Sequence, residues 1–242
     1  MDLLGPNWSY FVTDVTEGSP GNYERMAFLY NKNRVFFQNL IGELVLPGDR
    51  LIEGKQIART PYFASFQASW FRFTLCSAHI TFGGSSSEDK KLRAKEIAVI
   101  SKALAKRAEK SDEVHIFLGD MNIEDPEDNI MAALTGNGFT APLFGATNLS
   151  GTKHFDQIAY TGEELRTNLL NHSSFDWRDA VFGPSEMDHY KSIAEEARGE
   201  PYANWASSYR NWTSHQMSDH LPIWVELKTD YSDIYLADYL TE

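Results

Sequence analysis

The stretch IFLGDMNIED at residues 116–125 is the most informative part of this sequence. An apolar run ends there at a glycine, and residues 114–120 predict a short buried strand. Asp120 and Asn122 follow before an acidic segment begins. Both are therefore expected on a loop that leaves the end of a buried strand, a position that often carries binding or catalytic side chains.

The rest of the chain contains more strand patterns than helix patterns. Apolar residues at helical spacing predict one helix over Ser87–Lys110. A second helix is predicted after the opening stretch, with Asp125 as its N-cap, Pro126 at its first position and a stop at 137–138. Strands are expected as a pair within 60–80 and singly over 7–15, 25–31, 34–47, 155–162 and 221–228.

This order of elements favours an α+β fold. The helices are too sparse for a strict βαβ repeat, so we expect two mainly antiparallel sheets packed face to face, with helices outside. A polar insertion with Trp and Tyr residues occupies roughly 183–214. The tail, 229–242, is expected to form a short amphipathic helix that packs on the body.

Composition narrows the class of protein. The chain has 242 residues, of which 42% are hydrophobic, which suits one folded domain. Its formal net charge of -12 repels polyanions, so nucleic-acid binding would need a local patch or a metal ion. Cys76 is the single cysteine and is expected in the core. No apolar stretch is long enough to span a bilayer and no secretory signal is recognisable, so a cytoplasmic location is expected.

Five polar clusters follow or interrupt the apolar runs. Taken singly, a carboxylate at a strand end often caps a helix, and a histidine beside an apolar run is usually a partly buried side chain with its hydrogen bonds satisfied. Five such clusters together call for another explanation. In chain order they contain Glu24, then His79, then Asp120 with Asn122, then Asp156, and finally Asp219 with His220.

The order Glu, His, Gly-Asp-x-Asn, Asp-x-Ile and Ser-Asp-His ahead of a last core strand resembles the endonuclease/exonuclease/phosphatase superfamily, in a bacterial branch. The resemblance runs from about Asn7 to Leu227. It implies the DNase-I-like fold, a four-layer α/β/β/α sandwich, with a domain over 1–228 and a tail over 229–242. It also implies a metal-dependent phosphohydrolase, with a nuclease or related phosphodiesterase favoured.

The resemblance assigns the central roles to three residues. Asp120 would position or deprotonate the attacking water, and Asn122 would hold a phosphate oxygen beside it. His220 would donate a hydrogen bond or a proton to the phosphoryl oxygens. These three roles suit hydrolysis of a phosphate ester, in which the enzyme positions water and neutralises oxygen charge.

Supporting roles follow from the same resemblance. Asp156 would orient His220 and raise its pKa, and Glu24 would do the same for His79, a second phosphate contact. Arg59 resembles a phosphate-contacting arginine; its alternative is a surface salt bridge. Asp219 resembles a ligand for Mg²⁺ or Mn²⁺.

The sequence departs from the family at its start. Family members open with a strand that carries an asparagine and a second strand that ends in a metal-binding glutamate, and this sequence has neither. The expectation is therefore an N-terminally truncated domain, one whose sheet is completed by a partner or a missing upstream segment, or a non-catalytic relic.

Three functions stay open at this point. A phosphohydrolase is favoured; a phosphate-ligand-binding or regulatory module without turnover is the alternative, and a purely structural role is the third. The substrate is also open among DNA, RNA, a nucleotide, an inositol phosphate and a lipid head group, because one core serves all of these. Specificity is expected in loops 81–88, 143–154 and 183–214.

Overall fold

The structure is a computed structural model that describes residues 3–15, 23–111, 113–162 and 168–240. Three short 3₁₀ turns lie at 48–50, 177–179 and 184–186. The α-helices in the described part of the chain are α1 (Ser87–Ala108), α2 (Asn129–Thr135), α3 (Met187–Arg198), α4 (Trp205–Gln216) and α5 (Ser232–Leu240). The strands are β1 (Trp8–Val12), β2 (Ala27–Asn31), β3 (Phe36–Glu43), β4 (Tyr62–Ala68), β5 (Phe71–Ser77), β6 (Val114–Asp120), β7 (Phe139–Thr140), β8 (Asp156–Thr161), β9 (Leu169–Ser174) and β10 (Ile223–Leu227).

The main sheet has the strand order β3-β4-β5-β6-β8-β7 in the described part of the chain. Its pairs are antiparallel except β5 with β6, which are parallel. A parallel pair needs a long crossover, and α1 supplies it. The predicted α+β architecture with mainly antiparallel sheets is therefore confirmed, with one parallel pair at the centre of the main sheet.

Helices α1 and α2 cover one face of this sheet. Ile97, Ile100 and Leu104 of α1 are fully buried and belong to the same apolar cluster as Phe117 of β6. Full burial of each such side chain stabilises the fold by roughly 1.5–3 kcal/mol. Cys76 lies in this cluster as expected, and burial raises the pKa of its thiol to about 12.

Two separate two-stranded sheets cover the other face: β1 with β2, and β9 with β10. Phe28 of β2 stacks on Tyr62 of β4, with ring centroids 5.3 Å apart. Leu227 of β10 packs against a cluster that includes Ile116 and Tyr160. The second layer therefore consists, within the described residues, of two pieces that are not hydrogen-bonded to each other.

An apolar strip on the main sheet lies between these two pieces. It runs across β5, β6 and β8 and consists of Phe73, Leu75, Leu118 and Ile158, which are all only partly buried. Leaving this apolar surface in contact with water forgoes part of the stabilisation that burial gives the rest of the core.

The start of α2 corrects a prediction. The helix begins at Asn129, and the Asp128 side chain caps it by accepting from the Ile130 backbone N–H, 3.3 Å away. Asp125 instead accepts from the Glu127 N–H at 2.9 Å and forms a turn. Two aspartates three residues apart can each cap a helix, and the side chain followed by the apolar run 130–134 is the one used.

The insertion contains helices that the sequence analysis did not predict, whereas the tail has the predicted helix. The insertion contains α3 and α4, which pack through an aromatic cluster that includes Trp205 and Tyr209. The tail forms α5, as predicted, and Tyr235 contacts Trp70 with ring centroids 5.4 Å apart. The division into a domain over 1–228 and a tail stays a prediction. No helix among the described residues is long and apolar enough to cross a membrane.

Candidate active site

The register of the strands brings the main polar residues together at one end of the central strands. Asp120 is the last residue of β6 and Asp156 is the first residue of β8, and the two are direct cross-strand partners. His79 follows β5, the other neighbour of β6, and His220 lies just before β10. Four residues that are far apart in sequence therefore meet at the ends of adjacent elements.

Gly119 allows the segment after β5 to approach β6 closely. Its φ is +129°, and a Cβ at this position would collide with the carbonyl oxygen of Ala78. The Ala78 N–H donates to Leu118 O at 3.0 Å, and the Ile80 N–H donates to Asp120 O at 2.8 Å. These two bonds extend the parallel pairing and place His79 beside Asp120.

His79 connects two carboxylates. Its Nδ1 lies 2.7 Å from Oε2 of Glu24, and its Nε2 lies 3.3 Å from Oδ2 of Asp120. The Nε of Arg59 lies 2.9 Å from the same Glu24 oxygen. Glu24, Arg59 and His79 also line a cavity of about 300 Å³. The predicted pairing of Glu24 with His79 is present, and Arg59 joins it.

His220 is paired with Asp156. Its Nδ1 lies 2.7 Å from Oδ2 of Asp156, and this hydrogen bond is the main reason that the pKa of His220 rises to about 9. The His220 backbone is held at both ends, because its N–H donates to Ser218 Oγ at 3.0 Å and its carbonyl accepts from Trp177 Nε1 at 3.0 Å. The predicted contact and the predicted direction of the pKa shift are both present.

Asp120 lies where negative charge is costly. Burial raises the pKa of its carboxyl above the ordinary value, and the neighbouring Asp156 raises it further. The Asn122 N–H, which donates to Asp120 Oδ1 at 2.9 Å, and the two histidines oppose this shift. The carboxylate is consequently a stronger base than an exposed aspartate, which suits proton abstraction.

Asn122 is itself tightly held. It adopts a left-handed backbone conformation with φ of 52°, and only 6% of the residue is exposed. Its side-chain amide donates to the Ile80 carbonyl at 2.7 Å. Because these bonds lock the loop that carries Asp120, Asn122 positions that carboxylate. Its contact with a phosphate oxygen stays a prediction.

Arg93 is a site residue that the sequence analysis missed. It is fully buried on α1 and donates to the carbonyls of Asn122 at 2.7 Å and Gly84 at 2.6 Å. It thereby connects the Asp120 loop to the segment that follows His79. The signal was present in the sequence, because residues 93, 97, 100 and 104 share one face of the helix and a charged residue on that face needs partners.

Two predicted residues lie at the margins of the site. Arg59 is 5% exposed, so it is a buried ion-pair residue rather than the surface residue of the alternative interpretation. Asp219 is exposed and stands outside the group formed by Asp120, Asp156 and His220. Phosphate binding by Arg59 and metal binding by Asp219 stay predictions.

The central group fits a divalent cation. Ligand atoms of Asp120, Asp156 and His220 all lie within 4.8 Å of one another. Carboxylate oxygens are the donors that Mg²⁺ and Mn²⁺ prefer, and a cation between the two aspartates would relieve the repulsion that raises the pKa of Asp120. The identity of such an ion does not follow from these donors alone.

Comparisons with known proteins identify the fold. No protein-family model and no curated sequence matches the chain. An endonuclease/exonuclease/phosphatase family protein from Bacteroides thetaiotaomicron has a TM-score of 0.53 at 16% identity, over 94% of this chain and 75% of that one. A mannosyl-6-phosphatase from Bacteroides thetaiotaomicron VPI-5482 gives 0.52 at 15%, over 92% and 78%. The human Nocturnin catalytic domain, solved with a bound sulfate anion, gives 0.50 at 13%, over 69% and 63%.

These similarities establish the architecture. The chain has the DNase-I-like sandwich of endonuclease/exonuclease/phosphatase proteins, which confirms the fold that the sequence resemblance implied. It spans less than two thirds of the Nocturnin domain and about three quarters of the two bacterial proteins. At these identities the similarity shows the fold, and the reaction has to be argued from the site.

Proposed function

We propose that this protein is a divalent-metal-dependent hydrolase of phosphoric esters. The observation that carries the proposal is the position of the Asp120 carboxylate, which lies among His79, Asp156 and His220 at the end of the central strands. A base that lies close to two imidazole groups suits attack of water on an anionic phosphorus centre.

Asp120 takes the role of general base in this proposal. Burial and Asp156 raise the pKa of its carboxyl, so it accepts a proton from water more readily than an exposed aspartate does. The Asn122 N–H fixes one carboxylate oxygen, and Arg93 holds the backbone of Asn122. The other oxygen, Oδ2, faces His79.

His220 supplies the complementary charge, and His79 supplies a second hydrogen-bond donor. The pKa of His220 is about 9, so its imidazolium persists at neutral pH and donates from Nε2 while Nδ1 stays on Asp156. Glu24 holds His79 in the same way through Nδ1. Both imidazole rings lie near Asp120 and can donate from Nε2 to the phosphoryl oxygens as charge develops on them. This explains how a chain of net charge -12 binds an anion.

A bound Mg²⁺ or Mn²⁺ would be held by Asp120 and Asp156 and would neutralise charge on the phosphoryl oxygens. The repulsion between these two carboxylates supports such an ion. The similarity to a mannosyl-6-phosphatase and to an endonuclease/exonuclease/phosphatase family protein supports ester hydrolysis as the reaction class. The sequence analysis favoured a phosphodiester such as nucleic acid as the substrate, and hydrolysis of such a substrate can be measured directly.

A second candidate is a module that binds a phosphorylated ligand without turnover. The observation that favours it is the donor set: among the described residues, the candidate metal group has two carboxylates, and one of them is hydrogen-bonded to His220. Such a group would hold a cation more weakly than three free carboxylates do. This candidate predicts tight binding of a phosphate ester that is not consumed.

We also propose that further β-structure covers the apolar strip formed by Phe73, Leu75, Leu118 and Ile158. A pair of strands, supplied by a partner or by a longer form of the chain, would bury this strip and pair with edges of the two-stranded sheets that have no hydrogen-bonded strand neighbour among the described residues. The purified chain should then bind an apolar fluorescent dye, and Leu75→Ser should reduce that binding. A dye signal unaffected by the substitution would contradict the proposal.

The test of the proposed function is hydrolysis of p-nitrophenyl phosphate, bis-p-nitrophenyl phosphate and plasmid DNA, with Mg²⁺, with Mn²⁺ and with excess chelator. Metal-dependent release of product from at least one ester is the expected result. Full activity in chelator would overturn the metal requirement. Tight binding of an ester without hydrolysis in any condition would favour the second candidate.

A further inference from the structure

A polar cleft of about 370 Å³ is lined by Asn148, the backbone bridge partner of His220, and by Asp219, which precedes His220 in the chain. One wall is the turn at 148–150, and the other is helix α4. The cleft is therefore formed by one of the predicted specificity loops and by the insertion that this chain adds to the sandwich.

The cleft and the catalytic histidine share a wall. Asn148 is the backbone partner of His220 in an isolated antiparallel bridge, and the Leu221 N–H donates to Thr147 O at 2.6 Å. Asp219 directly precedes His220. A substrate whose phosphoryl group meets His220 would therefore extend its remaining part along this cleft.

The turn that forms the first wall is pre-organised. The Asn148 side chain accepts from the backbone N–H groups of Thr152 at 2.9 Å and Lys153 at 3.0 Å. Arg178 donates to the Leu149 carbonyl at 3.2 Å. Because these bonds are already made, the turn can bind a ligand without a large ordering cost.

Helix α4 presents a polar stripe to the cleft. Its buried face carries Trp205 and Tyr209, which anchor it in the aromatic cluster. Residues spaced by three and four positions lie on one side of a helix. The cleft-facing set has this spacing and contains Ser207, Arg210, Asn211 and Ser214.

The free polar groups of the cleft differ in charge. Within the described part of the chain, the side chains of Arg210, Asn211 and Asp219 make no hydrogen bond or ion pair with another residue. They offer a guanidinium, an amide and a carboxylate, flanked by the hydroxyls of Ser150 and Ser207. Vicinal hydroxyl groups, which both donate and accept, match such a mixed set.

Other substrates match the cleft less well. A second phosphate group would meet the Asp219 carboxylate as well as Arg210. A nucleic-acid base would find no aromatic ring among the residues that line the cleft, although stacking on such rings is the usual way in which single-stranded bases are bound.

We propose that this cleft binds the hydroxyl-bearing part of the substrate, so that the ester hydrolysed is the phosphate of a polyhydroxylated compound such as a sugar or a cyclitol. The inference rests on the proposed function, since it assigns the group attached to the phosphate at the same site. Arg210 and Asn211 are its specificity-determining residues.

The experiment compares glucose 6-phosphate, myo-inositol 1-phosphate and phenyl phosphate as substrates of the full chain and of its Arg210→Met and Asn211→Ala variants. The unmodified protein should prefer the two polyol esters. Each variant should lower kcat/KM for them about tenfold more than for phenyl phosphate, chiefly through KM, because one hydrogen-bonding group is lost. Arg72→Met, an exposed position on β5, is the matched control and should change neither value.

The outcomes separate this inference from the function on which it rests. Hydrolysis without a preference for polyol esters, or equal losses for all three esters in the variants, would overturn the cleft assignment alone. Faster hydrolysis of an oligonucleotide than of either polyol ester would also overturn it. If no ester is hydrolysed, calorimetric binding decides: tighter binding of glucose 6-phosphate than of phenyl phosphate that is lost in Arg210→Met supports the cleft, and equal binding contradicts it.

Discussion

Asp120 and Asp156 are direct cross-strand partners at the ends of β6 and β8, so two carboxylates stand side by side at one edge of the main sheet. Like charges opposite each other destabilise a sheet unless a positive charge compensates them. His220 compensates one of them through its 2.7 Å hydrogen bond to Asp156. The pKa of the other, Asp120, is raised by burial and by the charge of Asp156. The proposed mechanism depends on this difference: Asp156 is paired with the imidazolium of His220, and Asp120 is left as the base.

Asp156→Asn should lower the pKa of His220 from about 9 toward its ordinary value of 6.5. The amide retains a hydrogen bond but no longer stabilises the imidazolium by charge. NMR titration of the His220 ring measures the shift without requiring activity. Glu226→Gln, at an exposed position of β10, is the control. An unchanged pKa in Asp156→Asn would contradict the pairing.

The rate of ester hydrolysis should depend on pH as a bell-shaped curve. Asp120 acts as a carboxylate, so the rate rises with pH through its pKa, which lies above the ordinary 3.8. His220 acts as an imidazolium, so the rate falls as pH passes about 9. In Asp156→Asn the alkaline limb should move to lower pH, because the imidazolium of His220 loses the charge of its carboxylate partner. A profile flat between pH 7 and 10 in the unmodified protein would be inconsistent with these roles.

Arg93→Ala should destabilise the fold by about 3 kcal/mol, since it leaves the buried carbonyls of Asn122 and Gly84 without their donor. Arg93→Lys should lose less, because an ammonium can replace one of the two bonds but not the planar fork. Urea unfolding gives both values. Arg72→Ala, on the exposed side of β5, should stay within about 0.5 kcal/mol of the unmodified protein. Equal stability of Arg93→Ala and Arg72→Ala would show that the buried guanidinium does not hold the loop.

Gly119→Ala and Gly138→Ala form a matched pair. Both glycines have positive φ, but a Cβ at Gly138 has no atom within 4 Å, whereas one at Gly119 would collide with the Ala78 carbonyl. Gly138→Ala should therefore cost about 1–2 kcal/mol from backbone strain alone. Gly119→Ala should cost about 3 kcal/mol or more and should displace Asp120 from His79. Thermal unfolding measures both, and similar losses in the two variants would contradict the close approach.

Local patterns in the sequence predicted most of the strands, α1 and the loop that carries Asp120, because apolar periodicity and a terminal glycine are local signals. Strands β7 and β9 were missed. The contact between Asp156 and His220 joins residues 64 positions apart, so only the family resemblance indicated it. Helices α3 and α4 were missed because few of their residues are buried, namely Ala194 in α3 and Trp205, Tyr209 and Thr213 in α4, which is too few to give an apolar helical pattern. The division of the second layer into two pieces depends on long-range packing, which no local pattern encodes.

The central claim, that Asp120 activates the water that attacks the phosphate ester, is tested most directly by kcat/KM of Asp120→Asn. The substitution preserves shape and the hydrogen bond from the Asn122 N–H but removes the base, so with metal present the rate should fall about 10²- to 10⁴-fold while urea unfolding shows a folded protein. A folded Asp120→Asn variant that hydrolyses p-nitrophenyl phosphate or bis-p-nitrophenyl phosphate within threefold of the unmodified rate would contradict the claim.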